Sequence, residues 1–413
     1  MTLKAIIHAS EVLTGRGVRS KDGRRVTEED LGRIEDGAIV YETKKIAGRE
    51  IPDRIVWVGA TKDLPKQYRR IKAKNLRGNS AIIPGLVDCH NHLVFAGDRA
   101  DEFAARCGGA TYEEIAAKGG GIVTTVSATR KATKAQLLKT ASARVKKAMS
   151  YGIRTLEIKS GYGLTEESEF KVLEVAQELK KSFPEMTFAT TYLGAHALPK
   201  EVAEGKLTRE QYLSEMITSS LPKLAKSKLA DACDIFVDQG YFTVEEARQL
   251  LTHAKKLGLK IKIHADEMGN TESAALAAEL GALSADHLLQ ISKRGVDALS
   301  KSDTVAVLLP GTAFYLKANY APARQLIDTG ACVALSTDFN PGTCVTLNLP
   351  AIMTIAALYL YMSRAEIFAA VTYNAAKALG LQGHKGTLER GKDADFFVLP
   401  YKRFEELYYN FAW

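Results

Sequence analysis

The stretch Ala81-Ile82-Ile83-Pro84-Gly85-Leu86-Val87-Asp88-Cys89-His90-Asn91-His92 decides how the rest of the chain is read. Its apolar beginning reads as a buried strand entering a barrel or sheet core. Gly85 lets the backbone turn tightly, and Pro84 limits pairing at the strand start. His90 and His92 stand two apart, and on a strand residues i and i+2 share a face. Two neutral imidazoles on one face at a strand end make half of a zinc-type site. An isolated His-x-His more often marks two polar residues bonded to backbone. Here an apolar strand precedes the pair, and further candidate ligands follow at other strand ends.

Beyond residue 81, apolar runs alternate with amphipathic helical stretches, the signature of βα units and a parallel sheet. The runs are Ala81–Val87, Thr155–Lys159, Phe188–Gly194, Ala232–Val237, Lys260–His264, Leu283–His287, Thr304–Leu309 and Cys332–Asp338. Helical patterns such as Lys134–Met149, Glu166–Lys181, Val244–Leu257 and Thr271–Leu280 lie between them. Eight such pairs predict an α/β fold, a closed (β/α)8 TIM-like barrel over 81–380. No GxGxxG opens a helix, which counts against a dinucleotide fold. An insertion, roughly Gly97 to Arg130, follows the first strand, and a long loop at the catalytic face usually covers substrate. Residues 1–80 read as short strands and turns, and β structure returns after two short helices within Met362–Leu379. The segments 1–80 and 381–413 therefore predict one small composite β-sandwich domain.

Of a formal net charge of +8, seven units fall in residues 1–80, which hold 18 Lys/Arg against 11 Asp/Glu. The basic residues are interleaved with acids, so they read as a solvated surface and not as a nucleic-acid patch. Five Cys, an odd number without CxxC, predict a reducing, cytoplasmic setting. The N-terminus lacks the apolar core of a signal peptide. The most apolar stretch, Leu349 to Met362, is shorter than the about 20 residues a bilayer span takes. No membrane partner is expected.

Chemistry in such barrels sits at the carboxyl ends of the strands. The first run leads to His90-Asn91-His92, the fifth to His264-Ala265-Asp266-Glu267, the sixth to Asp286-His287, and the eighth to Asp338-Phe339-Asn340-Pro341-Gly342-Thr343. His90, His92, His264 and Asp338 give four N/O ligands, enough for one divalent metal ion, zinc or iron, with a position open for water.

These residues resemble the amidohydrolase superfamily. The blocks Phe95-Ala96-Gly97-Asp98-Arg99, Gly109–Ile115, Gly119–Ile122, Glu157-Ile158-Lys159-Ser160-Gly161-Tyr162-Gly163-Leu164 and Gly194-Ala195-His196 narrow the resemblance to the imidazolonepropionase family. It runs from about residue 80 to about 400, and that family usually continues the small domain for another strand or two. The resemblance implies hydrolysis of 4-imidazolone-5-propanoate, a small anionic substrate, to N-formimino-L-glutamate by metal-activated water, and a homodimer. It implies Asp338 as the proton shuttle, His287 at the oxyanion and Glu267 on a ring N–H. Arg99 would clamp the propanoate, with Tyr112, Tyr162, His196, Asn340, Gly342 and Thr343 around the pocket. Some related barrels bridge two metals with a carboxylated Lys at the end of the fourth strand. Here that run ends Phe236-Val237-Asp238-Gln239, which favours one metal and leaves Lys159 a positioning or ion-pair role. Another metal-dependent cyclic amidohydrolase or a heterocycle deaminase would share the four ligands. Arg99, Tyr162 and Glu267 separate the readings. Arg99 has a plain alternative as a surface residue paired with Asp101 or Glu102.

Overall fold

Gly85 divides the apolar run after Ala81 between two sheets. The computed structural model describes residues 2–109 and 120–411. Strands β1 (Thr2–Leu13), β2 (Arg33–Ile46), β3 (Arg49–Ala60) and β4 (Ala73–Asn75) precede the division. Then come β5 (Ile82–Pro84) and β6 (Leu86–Asp88). Ile82–Pro84, read above as the start of the first barrel strand, pairs instead with β1 and with β14 (Phe396–Val398). One six-stranded sheet results, in the order β14-β5-β1-β2-β3 with β4 on β1. The N- and C-terminal segments thus share a sheet. Its buried residues include Ile6, Val12, Ile39, Ile55, Ile82 and Leu388.

The second sheet is the barrel. It runs from β6 through β7 (Ile153–Lys159), β8 (Thr187–Ala195), β9 (Ala232–Val237) and β10 (Lys260–Ala265), all parallel. It continues through β11 (Ser284–His287), β12 (Val305–Leu308) and β13 (Val333–Leu335). Helices Lys134–Ser150, Glu166–Ser182, Val244–Lys256 and Ser273–Leu280 fall between strands, as the periodicity predicts. The first buries Leu137, Ala141, Val145 and Ala148, a single stripe at helical spacing. Thr133 with Gln136, and Thr243 with Glu246, close capping boxes that satisfy the first N–H groups.

The ring closes at its carboxyl end, beyond β6 and β13. Asp338 N donates to His90 O at 3.0 Å, and His92 N donates to Phe339 O at 3.0 Å. Asp88, fully buried, clamps the same seam. Its carboxylate accepts from Thr337 N at 3.0 Å, Thr337 Oγ1 at 2.7 Å, Asn91 Nδ2 at 2.8 Å and Ser336 Oγ. The segment 97–130 holds helices Ala100–Cys107 and Ile122–Lys131. Tyr112 lies outside the described residues.

A Cβ on Gly85 would lie 2.4 Å from Asp395 Oδ1 and 2.7 Å from Arg154 Cβ. Gly85→Ala is therefore expected to destabilise the chain by roughly 1–3 kcal/mol, the range for overpacking. Urea unfolding checks this, and an unchanged midpoint would mean that the junction has room.

Candidate metal and active site

Five of the eight histidines meet at the carboxyl end of the barrel. The His90 ring centroid lies 4.5 Å from that of His264, 5.2 Å from His287 and 5.3 Å from His92. His196 stacks on His92 at 5.0 Å. Strand geometry places them: His264 is the penultimate residue of β10 and His287 ends β11, while His90 and His92 follow β6. One ligand atom from each of His90, His92 and His264 lies within 4.8 Å of the others, and the same holds for His90, His287 and Asp338. Asp338 Oδ1 stands 3.4 Å from His90 Nε2 and 3.6 Å from His92 Nε2. Its Oδ2 accepts from Thr312 Oγ1 at 2.6 Å, which fixes the rotation of the carboxylate.

The donor set suits a divalent cation. His90 Nε2 and His264 Nε2 are buried without a hydrogen-bond partner among the described residues. His92 Nδ1, His264 Nδ1 and His287 Nδ1 are likewise unpaired among the described residues. Buried imidazole nitrogens are normally paired, so this gathering of orphans marks a ligand position. Burial holds His90 and His92 well below the usual imidazole range, helped at His90 by Lys159 and His264 and at His92 by His196 and His264. Neutral imidazole is the form that ligates. Burial also pushes the Asp338 carboxyl up to about 6, against the pull of Thr312 and His264. His287 and Asp338 adopt left-handed backbone, φ 81° and 50°. Such conformations cost of order 1–3 kcal/mol each and collect at functional sites.

A cavity of about 210 Å³ opens over this cluster. Arg99, Tyr162, His196, Glu267, His287, Asp338, Asn340 and Thr343 form its polar wall. Ile122, Phe236, Tyr241, Met268 and Leu316 form an apolar wall that the sequence reading missed. Glu267 Oε2 lies 3.5 Å from His287 Nδ1. Burial, with Asp338 and Asp238 nearby, pushes the Glu267 carboxyl up to about 8. His196 Nδ1 lies 3.0 Å from Gly161 O, so that contact makes Nδ1 the donor and leaves Nε2 an acceptor.

Arg99 Nε donates to Thr125 Oγ1 at 2.9 Å. A Cβ on Gly342 would lie 2.3 Å from Arg99 Nη1, so Gly342 is outside the cavity wall and makes room for the guanidinium. Among the described residues Arg99 makes no ion pair with Asp101 or Glu102, and Glu102 accepts from Gly121 N and Thr124 Oγ1. Asn340 shapes its own loop, its Oδ1 accepting from Gly342 N at 2.8 Å and Thr343 N at 2.7 Å. Glu169, also missed, accepts from Gly161 N, Gly163 N and Leu164 N at 2.6–2.7 Å and so holds the loop that carries Tyr162.

Residues 81–412 match the model of the amidohydrolase family. A relative named imidazolonepropionase from Bdellovibrio bacteriovorus is 43% identical over 404 residues, covering 97% of this chain and 91% of that protein. Another of that name from Clostridium tetani is 42% identical, covering 98% and 93%. The chain belongs to the amidohydrolase family and, within it, to the imidazolonepropionases. Solved structures share the amidohydrolase fold at lower identity. A triazine hydrolase from Arthobacter aurescens superposes with a TM-score of 0.68 at 16% identity, over 96% of this chain and 87% of that one. A zinc-bound adenosine deaminase from Xanthomonas campestris gives 0.64 at 16%, over 96% and 84%.

For this amidohydrolase, elemental analysis is expected to give one divalent metal per chain, and His264→Ala to lose it. A full metal complement in His264→Ala would remove that residue from the site.

Proposed function

We propose that this chain is a metal-dependent hydrolase that opens the ring of 4-imidazolone-5-propanoate to N-formimino-L-glutamate, a step of histidine degradation. One observation carries the reading: a His/Asp ligand cluster and the Arg99 guanidinium share one cavity. His90, His92, His264 and Asp338 hold one zinc or iron ion. A bound divalent cation lowers the pKa of water toward about 7 and so supplies hydroxide at neutral pH.

The remaining chemistry belongs to the side chains. Arg99 is anchored through Nε, and its terminal nitrogens take the propanoate carboxylate. That contact aims the ring at the ligand cluster, and positioning of this kind can supply a large part of a rate enhancement. Asp338 takes the proton of the attacking water and passes it to the ring nitrogen as the carbonyl C–N bond breaks. Its carboxylate borders both the ligand cluster and the cavity, where both halves of that task take place. His287 supports the oxygen on which charge develops. Glu267 holds a ring N–H, and His196, Tyr162 and Thr343 close around the ring. The apolar wall keeps competing water away from the remaining face.

The chain is further proposed to work as a homodimer. Leu358, Tyr359, Tyr361, Tyr409 and Phe411 are all more than half exposed. They lie on and beside two helices that pack together, Leu349–Tyr359 and Glu406–Tyr409. Exposed apolar residues on and beside packed helices suit a second copy. All five cysteines are free, in keeping with a reducing, cytoplasmic setting.

Asp338→Asn is expected to lower kcat by about 10²–10⁴-fold, the usual cost of removing a general acid–base. A variant within about threefold of wild type would exclude Asp338 as the proton shuttle. Steady-state kinetics of Arg99→Met, with the natural acid and with an analogue lacking its carboxylate, test the substrate. Wild type should strongly prefer the acid, and the variant should lose most of that preference. Arg99→Lys, with the charge but not the fork, should recover only part. Equal discrimination by Arg99→Met and wild type would place the carboxylate elsewhere and defeat the reading.

A further inference from the structure

One layer beneath the imidazoles the barrel interior is charged. Interior layers of such barrels are filled mainly by Val, Ile and Leu. Here Glu157 and Lys159 on β7, Asp234 on β9, Lys262 on β10 and Asp286 on β11 all point inward and are fully buried. Lys262 Nζ is absorbed by Glu157, at 2.9 Å from both carboxylate oxygens, and by Cys89 O at 2.8 Å. Lys159 Nζ lies 2.6 Å from Asp234 Oδ2, 3.1 Å from Glu157 Oε2 and 3.5 Å from Asp286 Oδ2. Lys159 does not line the cavity, so it has no route to substrate.

The two aspartate oxygens that face Lys159 also face the ligand layer. Asp286 Oδ2 is 2.6 Å from His90 Nδ1, and Asp234 Oδ2 is 3.1 Å from His264 Nδ1. Each oxygen therefore sits between the same ammonium and a different imidazole. An imidazole that donates at Nδ1 carries its lone pair on Nε2. Both Nε2 atoms are without a hydrogen-bond partner among the described residues; the His90 Nδ1–Asp286 contact is a hydrogen bond, and His264 Nδ1 meets Asp234 at contact distance without hydrogen-bond alignment. Burial opposes the charge on Lys159, but Asp234, Glu157 and Asp286 outweigh it and hold its ammonium above the usual range.

We propose that Asp234 and Asp286 are positioning residues that select the Nε2-ligating tautomer of His264 and His90, and that Lys159 ties both carboxylates into one unit. The inference rests on the metal site described above and concerns metal affinity, not turnover.

The test uses the full chain loaded with Co²⁺ and read by chelator competition and by its visible spectrum. Asp286→Asn and Asp234→Asn are nearly isosteric. Each should weaken Co²⁺ binding about 10–100-fold, the range for loss of a partner behind a metal ligand, and change the spectrum. Lys159→Met should weaken binding in the wild-type chain but change it by less than about threefold in the Asp234→Asn/Asp286→Asn background, because coupled residues are not additive. A Lys159→Met chain that folds only in the asparagine background supports the same coupling, since the cation is then needed only beside charged carboxylates. Asparagine variants that bind Co²⁺ within about threefold of wild type would overturn the proposal. So would an equal effect of Lys159→Met in both backgrounds. A wild-type chain that binds Co²⁺ but does not open imidazolonepropanoate would defeat the proposed reaction and leave this inference standing.

Discussion

Lys159 is fully buried, and the nearest oxygens of three carboxylates lie 2.6, 3.1 and 3.5 Å from its nitrogen. Buried charges of this kind are tolerated only when every partner is present, and deleting one partner typically costs 3–5 kcal/mol. The three acids come from β7, β9 and β11. Their mutual attraction to one ammonium, with Lys262 of β10 closing the charge balance on Glu157, fixes how these strands stand relative to one another. On this layer the imidazoles rest. His264 stands two residues beyond Lys262 on the same strand face, and His287 directly follows Asp286. A cation bound above would add positive charge over a layer of three acids and two lysines, which is the favourable sign.

The same economy of position governs the closure of the barrel. The hydrogen bonds that seal β6 against β13 run through the backbones of His90, His92 and Asp338. Two histidines and the carboxylate are thereby placed by the act of closing the ring. Asp88, bonded to Asn91, Ser336 and Thr337 across the seam, makes that closure specific. Cavity residues outside the ring are set by other means. Arg144 stacks 3.6 Å over Phe95 and donates to Leu93 O and Phe95 O, which steadies the segment leading to Arg99.

The barrel was legible because its strands are short, nearly uniform apolar runs separated by helical periodicity. The clustering of His and Asp was legible because these residues stand where such strands end. The division at Gly85 was not, since both halves of the run are buried and a run of apolar residues does not say which sheet it joins. Asp234 was missed inside Ala-Cys-Asp-Ile-Phe-Val, where one acid among apolar residues reads as noise. A signal existed: Glu157, Lys159, Asp234 and Lys262 all occupy the inward phase of a barrel strand, where a charge demands a partner. Asn340 and Gly342 were found by resemblance; Asn340 lines the cavity and also shapes its own loop, and Gly342 leaves space for Arg99. The apolar wall came from four separate stretches of chain, and nothing in a linear sequence joins Ile122 to Leu316.

The His90, His92, His264 and Asp338 cluster is proposed to hold one cation with which this chain opens the imidazolone ring. Chelator-stripped protein, given increasing zinc or iron in the presence of 4-imidazolone-5-propanoate, measures it directly through the loss of substrate ultraviolet absorbance. The account predicts negligible turnover without metal and a linear return of activity that ends at one equivalent per chain. Full turnover by the stripped protein, or activity that keeps rising to two equivalents, would contradict it.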